Sequence, residues 1–69
     1  MNNKYTALNR YRLSRKMSMA AFAKELGLSI DIVRRTLYGI SQPHDYNKEV
    51  IDKYYKTNQT EILDSILDA

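Results

Sequence analysis

Apolar residues recur along this chain at spacings of three and four residues, which is typical of helices packed through one face. The alternation that predicts strands is absent, and the two glycines and the single proline stand where helices would end. A chain of 69 residues is also short enough for one core only. The pattern therefore predicts an all-α fold, a compact bundle of about five short helices forming a single domain over residues 1–69.

The first helix is expected from about Tyr5 to Met17. Its inner side is predicted to carry Leu8, Tyr11 and the stem of Arg15.

The next two helices are predicted by the residues at their ends. Ser18 is a good N-cap for the second helix, and Gly27 can take the left-handed conformation that ends it. Ser29 caps the third helix in the same way, and Gly39 closes it. The inner residues expected of these two helices are Phe22, Ala23, Leu26, Val33 and Leu37.

Two more helices are predicted in the rear of the chain. The fourth starts at about Asp45 and carries Val50, Ile51, Tyr54 and Tyr55, and the fifth is capped by Thr57 or Asn58. In the fifth helix Ile62 and Ile66 are expected in the core. Leu63 and Leu67 widen the same apolar stripe, so they are candidates for a dimer contact or a second interface.

Composition excludes several classes of site. Without cysteine there is neither a disulfide nor a thiolate metal site. No apolar run approaches a membrane span and no signal-like segment opens the chain, so we expect a cytoplasmic protein without a membrane partner. Phosphate-loop and hydrolase motifs do not occur, and the only histidine, His44, is expected on the surface. We therefore expect no enzyme, no catalytic residue, no metal and no cofactor.

Charge is unevenly distributed along the chain. Residues 1–40 hold eight basic and two acidic residues, a net charge of +6, whereas residues 41–69 hold three basic and six acidic residues, a net charge of −3. A basic front half favours a polyanion or an acidic protein surface as the partner, although a solvated charged surface explains the charge equally well.

Residues 19–38 contain two short helices joined by a turn of about three residues, the layout of a helix-turn-helix. Ala23 is small where the two helices would cross closely, and Gly27 makes the turn with a positive φ. The apolar residues that would fill the angle between the helices are Leu26, Leu28 and Val33.

Over residues 5–43 this pattern resembles the Cro/CI-type (XRE-like) helix-turn-helix family of phage repressors. The small size and the acidic C-terminal segment are similar to phage lysogeny/lysis switch proteins, in particular to small modulators of repression. The resemblance implies a bacterial host cell and a CI-type repressor as the protein partner. The matching residues are Leu8, Tyr11, Arg12, Met17, Ser18, Phe22, Ala23, Leu26, Gly27, Leu28, Ser29, Val33, Gly39 and Pro43.

The resemblance also implies which surface does the work. In this family the start of the second helix meets DNA phosphates, and the exposed side of the third helix reads bases. The residues of this chain at those positions are Met19, Ala20, Ser29, Ile30, Asp31, Arg34, Arg35 and Tyr38.

Several of these residues are poorly suited to DNA. The family often places polar donors where this chain has Met19 and Ile30, and base edges are read mainly by hydrogen bonds. Phosphate would repel Asp31, so only Arg34, Arg35 and Tyr38 keep a nucleic-acid character. Methionine, isoleucine and an arginine pair are more typical of a protein interface.

Alternatives remain at three of these positions. Ile30 lies at helical spacing with Val33 and Leu37, so it is either core or interface, and if it is core, Ile32 is the surplus apolar residue. Met19 either faces the partner or folds back on the core. Asp31 is explained equally well by the dipole of the helix, which favours an acid in the first turn.

Two functions fit the sequence. The preferred hypothesis is a phage-switch antirepressor or modulator that docks its helix-turn-helix on the cognate CI-type repressor and alters operator binding. The alternative is a Cro-like repressor that binds operator DNA directly, as a dimer, through Arg34, Arg35 and Tyr38.

Overall fold

The computed structural model describes residues 4–67, of Ile66 only the backbone, and within that range the chain forms five α-helices and no strand. The predicted all-α bundle of about five short helices is confirmed. The helices are α1 (Lys4–Ser14), α2 (Met19–Leu26), α3 (Ile30–Leu37), α4 (Asp45–Thr57) and α5 (Gln59–Leu67).

All five helices contribute to one apolar core, and α1 packs most extensively on α5. The expected inner residues of α2 and α3 are buried, as are Leu8 and Tyr11 of α1. In α4 only Ile51 is buried, and the other residues named for this helix, Val50, Tyr54 and Tyr55, are half-buried and pack against the core. Ile62 is buried as expected, and the side chain of Ile66 lies outside the described part.

The predicted end of the first helix is wrong, because α1 stops at Ser14 and not near Met17. Lys16 takes a left-handed conformation with φ 57°. Its N–H donates to the Leu13 carbonyl at 3.0 Å, and the Met17 N–H donates to the Arg12 carbonyl at 3.1 Å. These two bonds form the Schellman motif that commonly ends helices at glycine, so a lysine here conceals the helix end from the sequence.

The polar contacts of α1 also differ from the expectation. The stem of Arg15 is exposed, and its guanidinium lies over the Tyr11 ring, 5.3 Å from the ring centroid. Arg12 is buried instead, and its Nε and Nη2 donate to Asn9 Oδ1 at 3.1 and 3.0 Å. Arg12 Nη1 donates to the Met17 carbonyl at 2.8 Å, which fixes the connection that leads into α2.

Side-chain contacts between distant parts of the chain hold the rear helices in place. Lys4 Nζ donates to Asp52 Oδ1 at 2.7 Å, and Tyr11 donates its hydroxyl to Glu61 Oε2 at 3.1 Å. Tyr54 packs edge to face on Phe22 with ring centroids 5.5 Å apart. Its hydroxyl donates to Glu25 of α2. Burial and this bond raise the pKa of Tyr54 above its ordinary value.

A single residue, Asn58, joins α4 to α5. Its carbonyl accepts the N–H of Ile62 at 2.9 Å, as an N-cap carbonyl does. Its side-chain amide donates back to the Tyr54 carbonyl at 3.0 Å, so the same residue closes α4. Within residues 4–67 no helix is both long and apolar enough to cross a membrane.

Candidate functional site

The third helix, α3, carries most of the residues predicted to meet a partner, and both of its ends are fixed locally. Ser29 is extended at φ −68° and ψ 149°, and its Oγ accepts the N–H of Ile32 at 3.3 Å. At the other end Gly39 has φ 73°, and the N–H of Ile40 donates to the Arg35 carbonyl at 2.9 Å. These caps are encoded by Ser29 and Gly39 themselves, which explains why the sequence predicted the helix correctly.

Burial of one side of α3 determines which residues point outward. Val33, Thr36 and Leu37 are buried against the other helices. At about 100° of rotation per residue, the opposite side forms one face that spans about 140° of the helix circumference. We call this the outer face of α3; its exposed members are Ile30, Asp31, Arg34 and Arg35, together with Tyr38, the C-cap residue that follows the helix.

The sequence left Ile30 either in the core or on the surface, and the structure places it on the surface. Ile30 is 48% exposed, whereas Ile32 is half-buried. The buried side of α3 is centred on Val33, Thr36 and Leu37, so Ile30, the first residue of the helix, lies at its edge. Sequence reasoning missed Thr36, which is 1% exposed, because a polar residue does not contribute to the apolar periodicity.

The charged residues of the outer face bind one another. Arg34 Nη2 lies 2.9 Å from Asp31 Oδ1, and Arg35 Nε lies 3.1 Å from Asp31 Oδ2. One carboxylate therefore contacts both arginines, each oxygen taking one of them. The hydrogen bond from Arg34, together with the charge of Arg35, lowers the pKa of Asp31 below its ordinary value.

Apolar surface continues past the end of α3. Tyr38 is 56% exposed, and Ile40, which follows the closing Gly39, is also exposed. Sequence reasoning did not single out Ile40. The available signal was an apolar residue directly after the glycine that ends a helix, a position that often packs back on the helix but here does not.

The start of α2 offers less surface than the resemblance implied. Met19 is half-buried and packs against the core, in agreement with its alternative role as a core residue. Ala20 is exposed but has no polar side-chain atom. Ser29 is exposed with its hydroxyl engaged by the cap.

The candidate second interface lies on a different helix, α5. Leu63 is 44% exposed and Leu67 is 81% exposed, one helical turn apart on the same side. The only charged residues described on this helix are Glu61 and Asp64. Its surface is therefore acidic and apolar, unlike the outer face of α3.

Residues 4–67 contain no group of three or more histidine, cysteine, aspartate or glutamate side chains suited to a metal ion.

Comparison of the chain with family models, with curated proteins and with solved structures finds no match in any of the three. The chemistry of the outer face of α3 is therefore the basis for assigning a function.

Proposed function

We propose that this protein is a phage genetic-switch regulator that acts as an antirepressor or modulator. It binds the cognate CI-type repressor through its helix-turn-helix, α2 and α3, and thereby alters the binding of that repressor to its operator. The outer face of α3 makes the central contact, with Ile30 desolvated in the complex.

The exposure of Ile30 is the observation that carries the proposal. This isoleucine opens α3, where a DNA-reading helix needs a hydrogen-bond donor. With Arg34 and Tyr38 it forms a ridge at intervals of four residues. A helix that reads DNA presents side-chain hydrogen-bond donors to the base edges. A ridge of apolar, aromatic and arginine side chains is instead typical of the centre of a protein interface.

The charges on this face agree with a protein partner. Asp31 neutralises part of the charge of Arg34 and Arg35, and the neighbouring start of α2 supplies no side-chain donor from Met19 or Ala20. Attraction to phosphate supplies most of the non-specific affinity for DNA. It is therefore weak at the outer face of α3 and at the start of α2, the two places that would contact DNA. A protein partner with an apolar pocket for Ile30, surrounded by polar groups that bind Arg34 and Arg35, fits this face better.

The test is a gel shift with operator DNA and the CI-type repressor of the source genome, using this protein alone, the repressor alone and the two mixed. We expect no shift by this protein alone and a changed or lost repressor shift in the mixture. The substitution Ile30→Asp should raise the concentration needed for that effect by at least about tenfold, since it places a charge in a desolvated contact.

Leu13→Asp is the matched control, because Leu13 is an equally exposed apolar residue on α1. It should leave the effect on the repressor unchanged. A sequence-selective shift by this protein alone, weakening steeply with salt, would instead identify a Cro-like protein that binds DNA through Arg34, Arg35 and Tyr38. Equal losses in Ile30→Asp and Leu13→Asp would also contradict the proposal.

A further inference from the structure

We propose that Asp31 is the residue that specifies protein over DNA on this surface, by occupying the two arginines that would otherwise contact phosphate. This inference rests on the proposed function and deepens it, since it names the side chain that excludes the competing partner. Its physical basis is the pair of contacts from Arg34 Nη2 and Arg35 Nε to the two carboxylate oxygens of Asp31.

The geometry resembles that of a bound phosphate. A guanidinium recognises phosphate and carboxylate through the same N–H donors. In this protein each arginine directs one such donor to Asp31, at 2.9 and 3.1 Å. A phosphate approaching the outer face therefore meets the negative charge of Asp31 at short range and competes with it for the donors of both arginines.

The helix dipole favours an acid in the first turn of α3, but the ion pairs themselves add little to helix stability. All three side chains are about half exposed, and ion pairs between exposed residues contribute little to folding. The same three charges affect DNA much more strongly, because affinity for a duplex depends on the number of phosphates that free cations neutralise. Asp31 leaves this face a net charge of +1, where the arginines alone would give +2.

A protein partner is affected differently. The apolar members of the face, Ile30 and Tyr38, stay exposed beside the ion pairs. Holding both arginines in one arrangement reduces the side-chain entropy lost when a protein surface docks. The contacts of Asp31 thus oppose one class of partner without blocking the other.

The experiment compares duplex binding by the whole protein and by Asp31→Asn, which keeps the shape of the side chain and removes its charge. The probe is a short labelled DNA duplex of arbitrary sequence, titrated at about 50 and about 200 mM salt. We expect Asp31→Asn to bind the duplex roughly tenfold more tightly than the unmodified protein at the lower salt concentration, with a steeper dependence on salt.

Asp64→Asn is the matched control, since it removes the same charge from an exposed position on α5. It should leave duplex binding nearly unchanged. In the triple variant Asp31→Asn/Arg34→Ala/Arg35→Ala the gain should disappear, because the released arginines carry it. Asp31→Ser, which keeps a small polar residue in the first turn, provides a second variant if Asp31→Asn folds poorly.

Equal gains in Asp31→Asn and Asp64→Asn would overturn the inference, since net charge alone would then explain them. The inference would also be overturned if neither Asp31→Asn nor Asp31→Ser bound the duplex more tightly, or if the triple variant kept the higher affinity. These outcomes are independent of the repressor. A gain specific to Asp31 together with no effect on the repressor would refute the proposed function and leave standing only the part of the inference that concerns DNA, namely that Asp31 opposes duplex binding.

Discussion

The front three helices and the rear pair are built by different means. α1, α2 and α3 all end in the same left-handed turn, at Lys16, Gly27 and Gly39. In each, the turn residue donates to the carbonyl three positions back, and the following residue donates to the carbonyl five positions back. The front helices are thus delimited by bonds between residues close in sequence.

The rear pair has comparable local bonds only at Asn58, and distant residues hold it in place. His44 precedes α4 without a side-chain cap hydrogen bond, and Asn58 alone separates α4 from α5. Ile51 and Ile62 reach the common core from these helices. Polar contacts to α1 and α2 add to this, from Asp52, Tyr54 and Glu61.

This difference teaches where each part of the molecule is specified. The candidate surface lies on the front helices, whose bounds follow from local sequence. The rear helices close the core over α1, so their substitutions are expected to act through stability. The three predictions that follow test this division, beginning with the largest effect.

The first prediction concerns two neighbouring residues on α5. Ile62→Ala should lower the free energy of unfolding by about 2–5 kcal/mol, because it leaves a cavity where a fully buried side chain holds α5 to the core. Leu63→Ala should lower it by no more than about 1 kcal/mol, since Leu63 is already 44% exposed. Urea denaturation of both variants measures the difference.

Similar losses in the two variants would show that Leu63 is buried in solution, as in a dimer through α5. Dilution then distinguishes this case, because the stability of a dimer depends on protein concentration.

The second prediction compares two front helix ends that share one geometry. Gly39→Ala should destabilise the protein by about 1 kcal/mol, since a side chain disfavours the left-handed conformation. A Cβ at this position meets no atom within 4 Å, so the cost comes from the backbone alone. Lys16→Gly should stabilise the protein by up to about 1 kcal/mol for the same reason.

Thermal unfolding of the two variants tests this pair. Lys24→Gly, within α2, is the control, and it should destabilise the protein as glycine does inside helices. A loss of stability in Lys16→Gly would mean that the local turn does not limit the end of α1.

The third and smallest prediction concerns Asp52 of α4, which pairs with Lys4 of α1 and with Lys48 of its own helix. Hydrogen bonds from Lys4 and then Lys48 lower the pKa of Asp52 below its ordinary value of 3.8. A carboxyl with a lowered pKa in the folded state adds stability above its ordinary pKa, and loses it as the pH falls through the lowered value. Asp52→Asn should therefore be less stable than the unmodified protein at neutral pH, and this gap should close in acid.

Because the pair is partly exposed, we expect a gap of less than about 1 kcal/mol at neutral pH. Urea denaturation along a pH series measures it, with Asp64→Asn on α5 as the control. A gap that stays constant down to the most acidic pH would contradict an electrostatic origin.

The sequence was sufficient for most of the fold and for much of the candidate surface. Ser18, Ser29, Gly27 and Gly39 delimit α2 and α3 by local hydrogen bonds, so those helices were predicted at their observed bounds. The same rules failed at Lys16, because glycine is the residue that usually indicates a left-handed helix end and a lysine there does not.

Burial was harder to predict than helical structure. Periodicity gave Ile30 two interpretations and missed both Thr36 and Arg12 as buried residues. A repeat of three and four residues identifies a face, but the neighbouring helices decide where its edge falls. Arg12 is buried because Asn9 and the Met17 carbonyl satisfy its donors, and neither acceptor is visible as such in the pattern.

The sequence by itself thus determined that the chain is all-α, where the two central helices begin and end, and that Asp31, Arg34, Arg35 and Tyr38 are exposed. Local hydrogen bonds and helical periodicity fix these properties without reference to distant residues. Only the tertiary structure decided that Ile30 is exposed and that Met19 packs inward. These depend on how helices distant in sequence pack together and on which rotamers the side chains take, and neither is specified by a local pattern.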